Sequence, residues 1–383
     1  MKRINTDQQL KLYYFYGVMK IAEVITHLES IAPLSLQESY DNAGLLTGMH
    51  GWDCTGVLCT LDVTEEVVME AVKGKCNLIV AHHPIIFGGL KKINGNNYVE
   101  KAIIAAIKND MAIYAIHTNL DNVHNGVNKA IADKLGLINC TILSSKQNIL
   151  KKLFTFVPVA QLEKVRNAIF DAGGGNIGNY SECSFSVEGS GTFKANVGAQ
   201  PFVGEIGARH EENEAKIEVI FPAWLENRII SAMIKAHPYE EVAYDIVSLN
   251  NIYSEVGSGL VGELPEKLEE SAFLQKIKQA FGLTVIRHTS LLRKPVTKVA
   301  VCGGAGSFLI PKALAAGAQF YITADVKYHE FFDANNHMVI ADIGHFESEQ
   351  FTIDLLVELL VQKFPTFAVL KSVTKTNPVQ YFT

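Results

Sequence analysis

The chain has 383 residues, of which 48% are hydrophobic and 19% charged, and its formal net charge is -6. That length allows two or three domains with a substantial core, and the balance excludes a disordered or coiled-coil chain. No basic excess invites nucleic acid, and no apolar run reaches the roughly 18–20 residues of a membrane helix. The six cysteines (54, 59, 76, 140, 183 and 302) are scattered without a CxxC pair. This argues against a thiolate zinc site or a disulfide framework and fits a cytoplasmic protein.

Residues 1–18 read as a peripheral N-terminal extension, with a basic start, a tyrosine-broken apolar run and no small-residue cleavage site. From Met19 the pattern "MKIAEVITHLESIA" is helical, with Ile21, Val24, Ile25 and Leu28 on one stripe. "GVLCTLDV" (56–63) reads as a strand and "TEEVVMEAVK" as a helix opened by Thr64. "NLIVA" (77–81) is a short strand, "YVEKAIIAAIKN" a helix and "MAIYAI" (111–116) another strand. Short apolar strands alternating with helices of about ten residues predict βαβ units and a mostly parallel sheet.

Between 151 and 250 the texture changes to strand ("KLFTFVPV"), helix ("QLEKVRNAIFDAG"), strands rich in Gly and Ser, helix ("PAWLENRIISAMIKA") and strand ("EVAYDIVSL"). That order is β-α-β-β-α-β, the ferredoxin-like pattern. Near 260 the α/β texture resumes. Strand "KVAVCG" leads through "GAGS" to helix "FLIPKALAAG", strand "QFYITAD" to helix "VKYHEFFDA", and strand "HMVIADIG" to a long helix "HFESEQFTIDLLVELLVQKF". The expected architecture is therefore an α/β core in two parts, 19–150 and 251–383, interrupted by a ferredoxin-like α+β insert at 151–250.

Ligands of open α/β sheets bind beyond the carboxyl ends of the strands. His82 and His83 follow "NLIVA"; His117, Asn119 and Asp121 follow "MAIYAI"; His345, Glu347 and Glu349 follow "HMVIADIG". His345 and Glu349 are four apart on a helix, and the same stripe continues through Ile353, Leu356, Val357 and Leu360, so it packs inward. An ionised glutamate there needs a partner or a metal, whereas Glu347 lies off the stripe and reads as solvated. His82, His83, Asp121, His345 and Glu349 offer three nitrogens and two carboxylates. The set suits two divalent ions sharing a carboxylate or a water, and its softness admits Zn, Fe, Mn, Co or Ni. Singly, each has a plainer reading: a hydrogen-bonded histidine, an aspartate capping a turn, a solvated His-x-x-x-Glu face.

Other stretches carry weaker chemistry. "CGGAGS" (302–307) lies where backbone N–H groups could cradle phosphate, but it lacks the dinucleotide spacing and the P-loop lysine and reads as a tight packing turn. "TADVKYHE" places Asp325, Lys327 and His329 at a strand end, as supporting groups or as a helix cap. "ESYDNAGLLTG" (38–48) is a turn or a lining segment. No Gly-x-Ser-x-Gly elbow supports a serine hydrolase.

Taken together, "DNAGLLTG", "LDVT", "AHHPIIF", "HTNLDNVHNGVN", "GGAGS", "TADVKYH" and "DIGHFESE" resemble the NGG-one-interacting-factor-three-like family, whose members are often labelled GTP cyclohydrolase 1 type 2 homologues. The resemblance implies that His82, His83, Asp121, His345 and Glu349 ligate two divalent metal ions. It implies a metal-dependent hydrolase acting on a nucleotide or similar small molecule through activated water. The alternative is a non-enzymatic metal- or cofactor-binding assembly protein. It also implies self-association into a hexameric ring, and the insert is similar to PII- and CutA-like domains. Tyr40 stands where the family's ExWDN motif has tryptophan, and Ala324 where its TGD motif has glycine.

Overall fold

The structure is a computed structural model that describes residues 19–382; the expected extension at 1–18 lies outside them. By internal packing the chain divides into two compact units. One runs to Ser144 and resumes at Ser254, and the other is Ser145–Tyr253.

The first unit holds two sheets. One contains β1 (Gly44–Thr47), β2 (Val57–Thr60), β3 (Leu78–Ala81), β4 (Ala112–Ala115) and, from the far end of the chain, β15 (Val369–Lys371). Its order is β1-β4-β3-β2-β15, parallel except for β1. The other contains β5 (Ile138–Ser145), β10 (Gly257–Leu268), β11 (Arg287–His288), β12 (Val296–Ala305), β13 (Phe320–Ala324) and β14 (Val339–Asp342). Its order is β11-β14-β13-β12-β10-β5, with β12, β13 and β14 parallel and antiparallel pairing at β10 and β11. Each sheet thus has a parallel centre, as the continuous apolar runs predict, with antiparallel pairing at β1 in the first sheet and at β10 and β11 in the second.

The period-two alternation of the strands decides which core each residue joins. Val57, Cys59, Leu78, Val80 and Tyr114 of the first sheet and Val299, Val301, Phe320, Ile322 and Val339 of the second share one cluster. Helices α1 (Ile21–Ile31), α5 (Val127–Lys134), α8 (Glu270–Phe281) and α11 (Thr352–Lys363) contribute Leu28, Ile131, Phe273 and Leu356 to it. Leu58, Ile79 and Ile113 point the other way, toward α2 (Glu65–Lys73) and α3 (Tyr98–Lys108). Phe273 meets Phe320 edge-on at 5.0 Å, a contact worth about 0.5–1.5 kcal/mol beyond its buried area. Thr64 caps α2 by accepting the Val67 N–H at 3.3 Å, as its position in the sequence predicts.

Helix α9 (Ile310–Ala315) forms within "FLIPKALAAG" as predicted, and two other predicted helices differ. The long helix expected at 345–364 is two helices, α10 (His345–Glu349) and α11, with Gln350 and Phe351 between them. Leu356 and Leu360 are buried as the stripe requires, and Ile353 and Val357 are partly so. "VKYHEFFDA" forms a 3₁₀ stretch, Tyr328–Ala334, which ends where Asn335 and Asn336 turn to positive φ. The sequence patterns assign no element to β1, β5, β10, β11, β15, α4 (Thr118–Asp121), α5 or α8. β5 holds no fully buried residue, so its hydrophobic pattern is weak.

The second unit runs β6 (Leu150–Pro158), α6 (Leu162–Asp171), β7 (Ser184–Lys194), β8 (Arg209–Pro222), α7 (Glu226–Ala236) and β9 (Tyr244–Ser248). The element order is the β-α-β-β-α-β of the sequence, and the strands lie antiparallel in the order β7-β8-β6-β9. Leu153, Ile217 and Phe221 of the sheet pack with Ile169 and Met233 of the helices in a core of their own. Among the described residues no helix is long and apolar enough to cross a membrane.

The strands that flank the second unit, β5 and β10, are neighbours in one sheet. Replacing 145–253 by a short Gly/Ser linker is therefore expected to leave a soluble, folded first unit that still takes up divalent metal. Circular dichroism and metal titration check this; insoluble protein would show that the second unit is needed for the first to fold.

Candidate metal centre

The carboxyl ends of β2, β3, β4, β12 and β14 place their side chains at one cavity of about 600 Å³, lined among others by Asp62, His83, His117, Asp121, Cys302, His345 and Glu349. Extended pairing continues one step past β3: the His82 and His83 N–H groups donate to the carbonyls of Thr60 at 3.1 Å and Leu61 at 2.9 Å. The backbone bends at both residues, so the two rings end side by side with their centroids 4.9 Å apart. His82 is fully buried, while the His83 side chain is 20% exposed toward the cavity. Asp121 ends the single turn α4 (Thr118–Asp121) after β4, and α10 carries His345 and Glu349 after β14.

Donor atoms gather in overlapping groups. One atom each of His82, Asp121 and Glu349 lies within 4.8 Å of the others, and so does one each of His83, His345 and Glu349. Glu349 belongs to both groups. His83 Nε2 is 2.9 Å and His345 Nε2 3.2 Å from Glu349 Oε2, and the two imidazole nitrogens are 3.3 Å apart. His82, His83 and His117 form a third group.

Each ring is oriented from behind. His82 Nδ1 donates to the Ile116 carbonyl at 2.9 Å, His83 Nδ1 to Asp62 at 2.7 Å, His345 Nδ1 to Asp325 at 2.6 Å and His117 Nδ1 to Asp41 at 2.8 Å. An Nδ1 that holds its hydrogen against an acceptor leaves Nε2 free to ligate, the arrangement in which metal-binding histidines are held. Asp41 also accepts the Thr118 N–H at 3.0 Å and the Thr118 hydroxyl. Burial would raise its carboxyl, but these hydrogen bonds outweigh burial and lower it to about 2.

The charge balance shows what the protein groups leave unfinished. Burial lowers the His82 pKa, so the ring is neutral, with Nε2 a lone pair. That atom and Asp121 Oδ1 are buried without a hydrogen-bond partner, 3.6 Å apart. Burial, and next the Glu349 charge, push the Asp121 carboxyl well above its usual range. Burial also works to raise Glu349, yet the surrounding histidines drive it well below. Burial opposes protonation of His83, but Asp62 and Glu349 outweigh it and raise the pKa to about 9. A lone pair facing a carboxylate, both buried and unpaired, is costly. A cation among them would remove the cost, so the donor set fits a metal ion.

All five sequence-predicted residues meet here. Asp325 also takes the supporting place anticipated for "TADVKYHE", from a left-handed backbone at φ 54. Ala324, the departure at that motif, is a buried strand residue. Glu347 differs from expectation: it is half-buried and accepts a hydrogen bond from Asn377 at 3.0 Å, because the C-terminal segment passes over it. The sequence reading gave no role to His117, Asp41, Asp62 or Thr376. The last of these donates to Asp62 Oδ2 at 2.6 Å. "CGGAGS" proves to be a clearance rather than a phosphate cradle. A Cβ on Gly304 would lie 2.5 Å from Glu349 Oε1, and its φ of 59 suits glycine. The Gly303 and Gly304 N–H groups are spent on Asn128 and Ser348, each at 3.0 Å.

The model of the family described as Duf34/NIF3 (NGG1p interacting factor 3) matches residues 19–378. A Halalkalibacterium halodurans protein named GTP cyclohydrolase 1 type 2 homolog is 40% identical over 371 residues, covering 95% of this chain and all of that one. The Bacillus subtilis protein of the same name is 39% identical over 326 residues, covering 85% of this chain and 87% of that one. A crystal structure of a Bacillus cereus protein related to NIF3 superposes with a TM-score of 0.85 at 39% identity, covering 96% of this chain and all of that one.

The anchoring of His83 generates a test. Asp62→Asn leaves an amide that accepts at one atom only, and Thr376→Val removes the hydroxyl that fixes the carboxylate. Competition titration with a zinc chelator should report about a tenfold loss of affinity for Asp62→Asn and a smaller loss for Thr376→Val. Unchanged affinity in both variants would show that the orientation of His83 does not depend on this chain of contacts.

Proposed function

The chain belongs to the Duf34/NIF3 family, and from that premise we propose that it is a metal-dependent hydrolase of a nucleotide or similar small molecule, with two divalent ions at the strand ends. His82, Asp121 and Glu349 would hold one ion, and His83, His345 and Glu349 the other, with Glu349 common to both. The observation that carries this reading is the buried, unpartnered pair of His82 Nε2 and Asp121 Oδ1 beside a carboxylate that also faces His83 and His345. Imidazole and carboxylate donors without thiolate suit Zn, Fe, Mn, Co or Ni. Lewis acidity is what divalent ions supply when bound, polarising the bond under attack and acidifying water.

The chain's own groups do the rest. The cavity admits a small molecule, and Ile85 and Cys302 give it a buried apolar wall. The His117 ring stands 5.3 Å from that of His82 and 5.4 Å from that of His83, and Asp41 holds it. It is placed to carry a proton to or from the reacting group. A second reading, a metal- or cofactor-binding assembly protein without turnover, draws on one observation. The serine and threonine hydroxyls that line the cavity are already spent, Thr118 on Asp41 and Ser258 on Asn122. Release of product from a nucleotide panel by metal-loaded protein separates the readings.

Purified protein should bind about two equivalents of divalent metal per chain. Glu349→Ala removes the shared carboxylate and should lower affinity for both ions about tenfold or more, as should His83→Ala for one of them. Glu347→Ala, two residues away, should leave metal content intact. Metal analysis by mass spectrometry checks this, and equal behaviour of Glu347→Ala and Glu349→Ala would overturn the assignment. On the same reading the chain self-assembles into the hexameric ring that the resemblance implies. Light scattering should give the mass of about six chains, and a clean monomer would remove it.

A further inference from the structure

Beside the candidate metal ligands, four tyrosine and phenylalanine rings line the same cavity. Tyr40 and Phe87 lie side by side, their ring planes within 26° and their centroids 6.5 Å apart, and Phe87 stands edge-on to His117 at 5.8 Å. Tyr98 and Phe308 line the same cavity. All four rings are exposed, Tyr40 by 63% and Phe87 by 53%. Large apolar side chains left in water beside a cluster of metal-ligating groups form a platform on which a planar ring can stack.

Nothing comparable is provided for phosphate. Among the described residues that line the cavity there is no lysine or arginine, the side chains that hold phosphate oxygens at such sites. The glycine turn beside Glu349, whose N–H groups could have served, spends them on Asn128 and Ser348. Two divalent ions would meet Asp121 and Glu349 directly and Asp41, Asp62 and Asp325 behind the histidines. These carboxylates already outnumber the positive charges such ions bring, so little field remains for a polyanion.

We propose that this cavity takes an uncharged planar heteroaromatic ring, a nucleobase or its nucleoside, stacked on Tyr40 and Phe87, and that it is not built to recognise a phosphate. The inference deepens the hydrolase reading and rests on it for the place of the reacting bond. It narrows the substrate class from nucleotides to their unphosphorylated forms.

The test is calorimetric titration of the full chain, zinc-loaded and metal-free, with guanosine, adenosine and cytidine and with their 5′-monophosphates. At least one nucleoside should bind, and its 5′-monophosphate should gain less than about tenfold in affinity. Phe87→Ala and Tyr40→Ala should each weaken nucleoside binding about tenfold, the loss expected when one stacking ring is removed, with zinc content unchanged. A monophosphate preferred by tenfold or more would overturn the proposal, as would no nucleoside binding to zinc-retaining protein. A Phe87→Ala variant that alters only the mass of the oligomer would also overturn it, by assigning the rings to a contact between copies. If the wild-type chain fails to hold zinc, the hydrolase reading fails instead, and titration of the metal-free chain still decides this one.

Discussion

A single carboxylate organises this protein. Glu349 is 3% exposed and faces imidazoles from two separate parts of the chain: His82 and His83 after β3, and His345 one helical turn before it. A buried carboxylate costs several kcal/mol unless it is met by charge and hydrogen bonds. The fold therefore has to deliver those partners together or not bury it at all. Much of the local structure follows from that requirement. The glycines at 303 and 304 clear space for its side chain, and Ser348 ties the turn they make to α10.

The delivery depends on two sheets sharing one core. β3 and β4 belong to one sheet and β14 to the other, yet their inward residues enter a single cluster with α1, α5, α8 and α11. That common packing fixes the two sets of strand ends against each other. Close-packed interiors deform little, so donor atoms mounted on them keep their spacing. β15 adds a further tie, because it pairs with β2 and brings the C-terminal segment across to Asp62 and Glu347.

The family motifs gain a physical meaning from the hydrogen bonds behind the histidines. The aspartate of "DNAGLLTG" holds His117, that of "LDVT" holds His83 and that of "TADVKYH" holds His345. Each motif except the glycine turn "GGAGS" supplies either a donor atom or the acceptor that aims one. Residues of the second kind look like turn or cap positions when read singly, but they set tautomer and ring direction, on which metal affinity depends.

The sequence by itself determined the alternation of strands and helices, the buried stripe of α1, the cap at Thr64 and the β-α-β-β-α-β order of the second unit. These are local periodicities, written in neighbouring residues. It also determined the five candidate donors, because strand ends and a four-residue helical spacing are local signals. Only the tertiary structure decided which atoms they meet. Asp62 lies 21 residues from His83 and Asp41 76 residues from His117, separations that no periodicity spans. The break between α10 and α11 was equally hidden, since the apolar stripe runs on in sequence while the backbone yields at Gln350 and Phe351. The glycine turn was ambiguous for the same reason. A backbone N–H can serve a phosphate or a side chain, and the choice is made by what the fold packs against it, here Asn128 and Ser348.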